Sequence, residues 1–127
     1  MEKSSAGRMP GKKILIVDDE IATLEVLEFL LTDEGYQITS AIDGRQALER
    51  LHESRPDLVI LDFMMPVLDG SHVTKAMKAD AKFADVPILL VSSLPEKNVR
   101  ARCKGYDAFL RKPVKLPELL ETISSLL

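Results

Sequence analysis

The sequence predicts a doubly wound α/β fold, a parallel five-stranded sheet with helices on both faces. Three observations carry this. Strand-like and helix-like stretches alternate five times along the chain, the pattern of parallel strands joined by right-handed helical crossovers. Leu58-Val59-Ile60-Leu61 is a continuous apolar run, as a short strand buried on both faces must be. Four such runs end on polar side chains, and in open α/β sheets ligands bind in the crevice beyond the carboxyl ends of the strands.

Taken in order, residues 1–11 hold Ser, Gly, Pro and Lys without periodicity and are expected to form a flexible tail. The domain proper spans 12–127. Lys13–Val17 is the first strand and runs into Asp18-Asp19-Glu20. These acids precede a helix whose inward face is read as Ile21, Leu24, Leu27 or Glu28, and Leu31, widened by Val26 and Leu30, and which stops at Gly35. Tyr36–Ser40 alternates and reads as an exposed strand near an edge. Asp43-Gly44 turns the chain into a second helix with Ala47, Leu48 and Leu51 inward, ended before Pro56.

Leu58–Leu61 is the third strand and ends on Asp62. Asp69-Gly70-Ser71 starts a third helix with Val73, Ala76 and Met77 inward. The run Val86–Val91 ends on Ser92-Ser93, and the fourth strand follows Pro87. A fourth helix over about 96–103 has Pro95 near its first turn, Val99 and Cys103 as its apolar pair, and Gly105 as its stop. Asp107–Leu110 is the fifth strand and leads into Arg111-Lys112-Pro113. Leu116, Leu119, Leu120, Ile123, Leu126 and Leu127 give the last helix its apolar face.

The 127-residue chain is 46% apolar and 29% charged, which describes one globular domain. A net charge of −3 argues against nucleic-acid binding by bulk electrostatics. The single cysteine, Cys103, forbids an internal disulfide and fits a reducing cytoplasm. No apolar run approaches the ~18 residues of a membrane helix, and none follows the basic N-terminus as a signal peptide requires.

If the strands are parallel, Asp18, Asp19, Asp62, Ser92, Ser93 and Lys112 meet at one edge of the sheet. Two carboxylates ~4 Å apart repel by roughly 4 kcal/mol at an effective dielectric of ~20. Lys112 offsets part of that repulsion, and a divalent cation would offset more. All-oxygen ligands point to a hard ion such as Mg²⁺. A carboxylate can also act as a nucleophile toward phosphorus, with Lys112 and a Ser92 hydroxyl holding the transferred oxygens.

Val17-Asp18-Asp19-Glu20, Leu61-Asp62-Phe63-Met64-Met65-Pro66 with Asp69-Gly70, Val91-Ser92 and Phe109-Leu110-Arg111-Lys112-Pro113 together resemble the receiver domain of two-component response regulators. The resemblance covers about residues 12–127. It implies a flavodoxin-like fold with strand order 2-1-3-4-5. It implies that Asp62 accepts a phosphoryl group from a phosphohistidine on a sensor histidine kinase or histidine phosphotransfer protein. Asp18, Asp19, Asp62 and the Met64 carbonyl would hold Mg²⁺, and Lys112, cis to Pro113, would bind the phosphoryl group. Ser92 matches the switch hydroxyl and Phe109 the switch aromatic. The resulting population shift would be read by a downstream protein target at the surface of the fourth helix, fifth strand and fifth helix. Such a chain is a signalling switch that catalyses its own phosphorylation and dephosphorylation, rather than an enzyme acting on small molecules. No output domain is expected within these 127 residues, and the oligomeric state is left open.

The sequence departs from the family in three places. Phe109 stands where Tyr is common, so no phenol is available there. The Ser92-to-Lys112 interval is short, which bears on the fourth helix. Met64 and Leu94, two residues beyond Asp62 and Ser92, are apolar at positions that influence attacking water.

Plainer roles stand beside these. Asp18 and Asp19 could cap the first helix, and Ser92 and Ser93 could be ordinary loop residues. Phe109 can be core as well as switch. Asp69-Gly70 reads as a turn and helix start, Met64-Met65 as packing, His52 and His72 as solvated, and Cys103 as structural. A small-molecule phosphohydrolase would carry a second acid where Met64 stands. A flavin or nucleotide module would need a Gly- or Ser/Thr-rich loop in place of Asp18-Asp19-Glu20. A docking-only domain would not need Asp62, Asp19 and Lys112 intact.

Overall fold

The computed structural model describes residues 11–127. Of the expected tail, only Gly11 falls within the described residues. The elements run β1 (Lys13–Val17), α1 (Ile21–Asp33), β2 (Gln37–Ala41), α2 (Gly44–Glu53), β3 (Leu58–Asp62), α3 (Gly70–Lys78), β4 (Ile88–Ser92), α4 (Glu96–Arg100), β5 (Ala108–Arg111) and α5 (Leu116–Leu126). The strands form one parallel sheet in the order β2-β1-β3-β4-β5.

Alternation along the strands divides the core into two layers. Leu15, Val17, Val59, Leu61, Ile88 and Leu90 face Ala47 and Leu51 of α2, Val73 and Met77 of α3, and Val99 of α4. Ile14, Ile16, Leu58, Ile60, Leu89 and Val91 face Leu24 and Leu31 of α1, and Leu119 and Ile123 of α5. Hence β3 and β4 are buried at every position, while the edge strand β2 is partly exposed. Among the described residues, no helix is long and apolar enough to cross a membrane.

The structure corrects several local expectations. In α1, Ile21 and Val26 are 61% and 57% exposed rather than inward. The helix is apolar on most sides, and the sheet chose Leu24, Leu27 and Leu31. Val26 lies roughly 200° around the axis from Leu24 at ~100° per residue. In α3 the fully buried Thr74 joins Val73 and Met77, and Ala76 is only half-buried.

The fourth helix is one short turn, Glu96–Arg100, and does not extend to 103. Pro95 caps its start, and Arg102 N–H and Cys103 N–H both donate to the Val99 carbonyl, tightening its end. Gly105 does not stop this helix but turns the chain into β5 with φ +96°. With the short interval before Lys112, the chain must leave the helix early to bring Cys103 under the core edge and start β5. That strand begins one residue later than expected, at Ala108.

Candidate functional site

The site forms where β1, β3, β4 and β5 end together. Parallel register sets it: Val17 pairs with Leu61, Asp62 with Val91, and Ser92 with Arg111. Asp18 and Asp62 are 4% and 5% exposed, whereas Asp19 is exposed. One carboxylate oxygen from each of the three lies within 4.8 Å of the others. Lys112 Nζ reaches over from β5, 3.3 Å from Asp18 Oδ2 and 3.4 Å from Asp62 Oδ2. The Lys112–Pro113 bond is cis.

Backbone donors hold the other faces of these acids. Asp18 Oδ1 accepts from Glu20 N–H at 2.9 Å, and Asp62 Oδ1 accepts from Met64 N–H at 3.3 Å. Burial pushes the Asp62 carboxyl up to about 6, with Asp18 adding to the rise and Lys112 opposing it. Burial pulls the Lys112 ammonium down, but the attraction of Asp62 and Asp18 outweighs it and raises the group. The donor set is oxygen only, and three acids face one cation. That set fits a hard divalent ion and gives a soft one no ligand.

Asp69, despite its proximity in sequence, is a helix cap. Its Oδ1 accepts from Ser71 N–H, His72 N–H, Ser71 Oγ and His72 Nδ1 at 2.7 to 3.2 Å. Burial raises its carboxyl, but these bonds prevail and hold it below the usual range. Gly70 is required here by close approach. A Cβ on it would stand 2.8 Å from Phe63 Cα and 3.1 Å from the Asp62 carbonyl oxygen. Gly70→Ala is therefore expected to destabilise the fold by about 1–3 kcal/mol through a clash with backbone. Urea unfolding measures it, and an unchanged midpoint would contradict the clash.

The loop between β3 and α3 also bends through Val67, which has φ +70° and is 77% exposed. A β-branched residue there costs about 1–2 kcal/mol. Leu68 N–H donates to the Pro66 carbonyl across it. Met64 beside it is 53% exposed.

Ser92 is 1% exposed, and its Oγ accepts from Leu94 N–H at 3.1 Å. Phe109 is half-buried and packs against the α2–α3 layer, its ring centroid 6.4 Å from that of Tyr106. The Tyr106 hydroxyl donates to Glu96 Oε2 of α4 at 2.9 Å, so a phenol does stand near this region, three positions before Phe109. The Arg102 guanidinium lies 5.2 Å from the Phe63 ring centroid, stacked on the residue that follows Asp62. Neither contact has a local sequence signal. His72 is engaged with Asp69, His52 packs on Phe83, and Cys103 is buried.

Known proteins share this arrangement. The response regulator receiver domain family matches residues 14–124. The polar-differentiation response regulator DivK of Brucella anthropi is 31% identical over 118 residues, 91% of this chain and 96% of DivK. The response regulator MprA of Mycolicibacterium vanbaalenii is 40% identical over 119 residues, 91% of this chain but 50% of MprA. The chain thus spans nearly all of some relatives and about half the length of others. Among solved structures, the chemotaxis response regulator CheY4 of Vibrio cholerae superposes with a TM-score of 0.85 at 34% identity, covering 92% of this chain and 99% of that one. The receiver domain of the sensor histidine kinase PA1611 of Pseudomonas aeruginosa, with magnesium coordinated in its active-site cleft, gives a TM-score of 0.85 at 31% identity, covering 91% and 97%. By fold, by motif order and by these relatives, the chain belongs to the response regulator receiver domains of two-component signal transduction.

Proposed function

We propose that Asp62 is the phosphoacceptor of a Mg²⁺-dependent signalling switch housed in residues 12–127. The carrying observation is the convergence of Asp18, Asp19 and Asp62 within 4.8 Å, with Lys112 Nζ against two of them. An Asp62 carboxylate oxygen attacks phosphorus, and the bond from phosphorus to the donor's histidine nitrogen breaks. The imidazole leaves with the electron pair of that bond. Lys112 would hold the phosphoryl oxygens, and Asp18, Asp19, Asp62 and the Met64 carbonyl would hold Mg²⁺. When bound, the ion supplies the positive charge that lets an anion approach three carboxylates.

The donor is a sensor histidine kinase or a histidine phosphotransfer protein, and the setting is the cytoplasm. Ser92 Oγ, satisfied by Leu94 N–H in this state, would turn to the phosphoryl group, and Phe109 would move inward behind it. The population shift reaches a downstream protein target. The Tyr106–Glu96 bond ties α4 to the segment that enters β5.

Intact mass after incubation with a small acyl-phosphate donor, and separately with a phosphohistidine donor protein, tests this. One added phosphoryl group that requires Mg²⁺ is expected. No gain from either donor would overturn the reading. The phosphoryl group is expected to persist for minutes or longer, because neither Met64 nor Leu94 can orient attacking water. Unassisted decay within seconds would contradict that.

A further inference from the structure

Positive charge is concentrated on one part of this net-negative chain. Between α3 and the α4–β5 loop lies a cleft of about 480 Å³, lined by His72, Lys75, Lys78, Arg102 and Lys104 among others, with no Asp or Glu in the lining. Lys75 and Lys78 lie three apart on one face of α3. Gly105 lets the loop press against that face. Its φ is +96°, and a Cβ on it would stand 3.2 Å from Lys78 Cγ. The loop thereby brings Arg102 and Lys104 to the opposite wall.

Some of this charge is already used. Lys78 Nζ donates to the Ala84 carbonyl at 3.0 Å and lies 3.9 Å from Asp107, and His72 is paired with Asp69. Lys75, Arg102 and Lys104 form no ion pair among the described residues. Arg102 is nevertheless positioned, since its guanidinium rests on Phe63. Arg102 lines the cleft but lays its guanidinium on Phe63, which belongs to a neighbouring cleft, while the unpaired Lys75 on α3 and Lys104 on the loop line one concave site from two walls. Its volume lies in the range of small-ligand pockets, about 300–1,000 Å³.

We propose that this cleft binds an oligophosphate, a small ligand with two or more linked phosphate groups, recognised by its anionic oxygens. Lys supplies a compact point charge suited to phosphate. Apart from the His72 imidazole, no aromatic ring lines the cleft, so it offers no platform on which a nucleobase would stack. The phosphates, and not the group they are attached to, carry recognition. The cations surround a concavity and are not strung along a groove, which favours a compact polyanion over an acidic peptide. The cleft shares no residue with the acid cluster, so the proposal stands independently of phosphotransfer at Asp62.

Calorimetric titration of the protein with inorganic triphosphate tests it. Metal-free, low-salt buffer keeps the acid site repulsive to the probe. One-site binding is expected, weakened at least tenfold by Lys75→Glu and by Lys104→Glu, both exposed positions. Affinity should fall steeply with added salt, and Lys112→Met should leave it unchanged. Four results would each overturn the proposal: no binding by the wild type, equal affinity in both charge reversals, loss of binding in Lys112→Met, or equally tight binding of a hexaglutamate peptide.

Discussion

Asp62→Asn will abolish phosphoryl incorporation, while Asp69→Asn will retain it. The two acids flank the same loop, yet the structure gives them different work. The Asp69 carboxylate is committed to Ser71 and His72 at the start of α3. Asn is as good an N-cap as Asp, so the fold should tolerate that change. Asp62 instead points Oδ2 at Lys112 and shares the acid cluster. An amide at position 62 is a poor nucleophile and a weaker ligand for a hard cation. Intact-mass measurement on both variants, with donor and Mg²⁺, separates the roles. Wild-type incorporation in Asp62→Asn, or its loss in a folded Asp69→Asn, would reverse the assignment.

The same substitution is expected to stabilise the metal-free protein by up to about 3 kcal/mol near pH 7.5. Burial, with Asp18 adding to it, raises the Asp62 carboxyl from 3.8 to about 6 despite Lys112. Between about pH 4 and pH 6 the folded state therefore holds a proton that the unfolded state has already lost. Stability falls as pH rises from about 4 to about 6, and the full penalty persists above that window. Asn carries no charge to desolvate, so its advantage should shrink toward zero as the pH is lowered to about 4. Added Mg²⁺ should stabilise the wild type by binding only its folded form, and so narrow the gap at pH 7.5. Urea unfolding at both pH values, with and without Mg²⁺, measures all of this. A less stable Asp62→Asn at pH 7.5 would mean that the Lys112 attraction outweighs burial.

By itself, the sequence determined the number, order and type of the elements. The apolar runs at Leu15, Val59 and Leu89 have no polar alternation, and only strands covered on both faces bury them fully. It also marked which side chains reach the strand ends, because each run stops on an acid, a hydroxyl or the Arg-Lys pair. Four motifs in order then identified the family. Local pattern was insufficient where a segment had more than one apolar face or too few apolar residues. In α1, Leu24 and Val26 are equally hydrophobic, and only packing against β1 and α5 decided which turned inward. In α4, Val99 and Cys103 could have belonged to a longer helix, and the span left before Lys112 ended it at Arg100.

The tertiary structure alone also decided the contacts between distant segments. Lys112 meets Asp18 across 94 residues of chain. Arg102 covers Phe63, and the α4–β5 loop faces Lys75 across a cleft. Periodicity reports which face of one element is apolar, whereas these contacts depend on where two elements stop relative to each other, which the packing of the whole sheet sets.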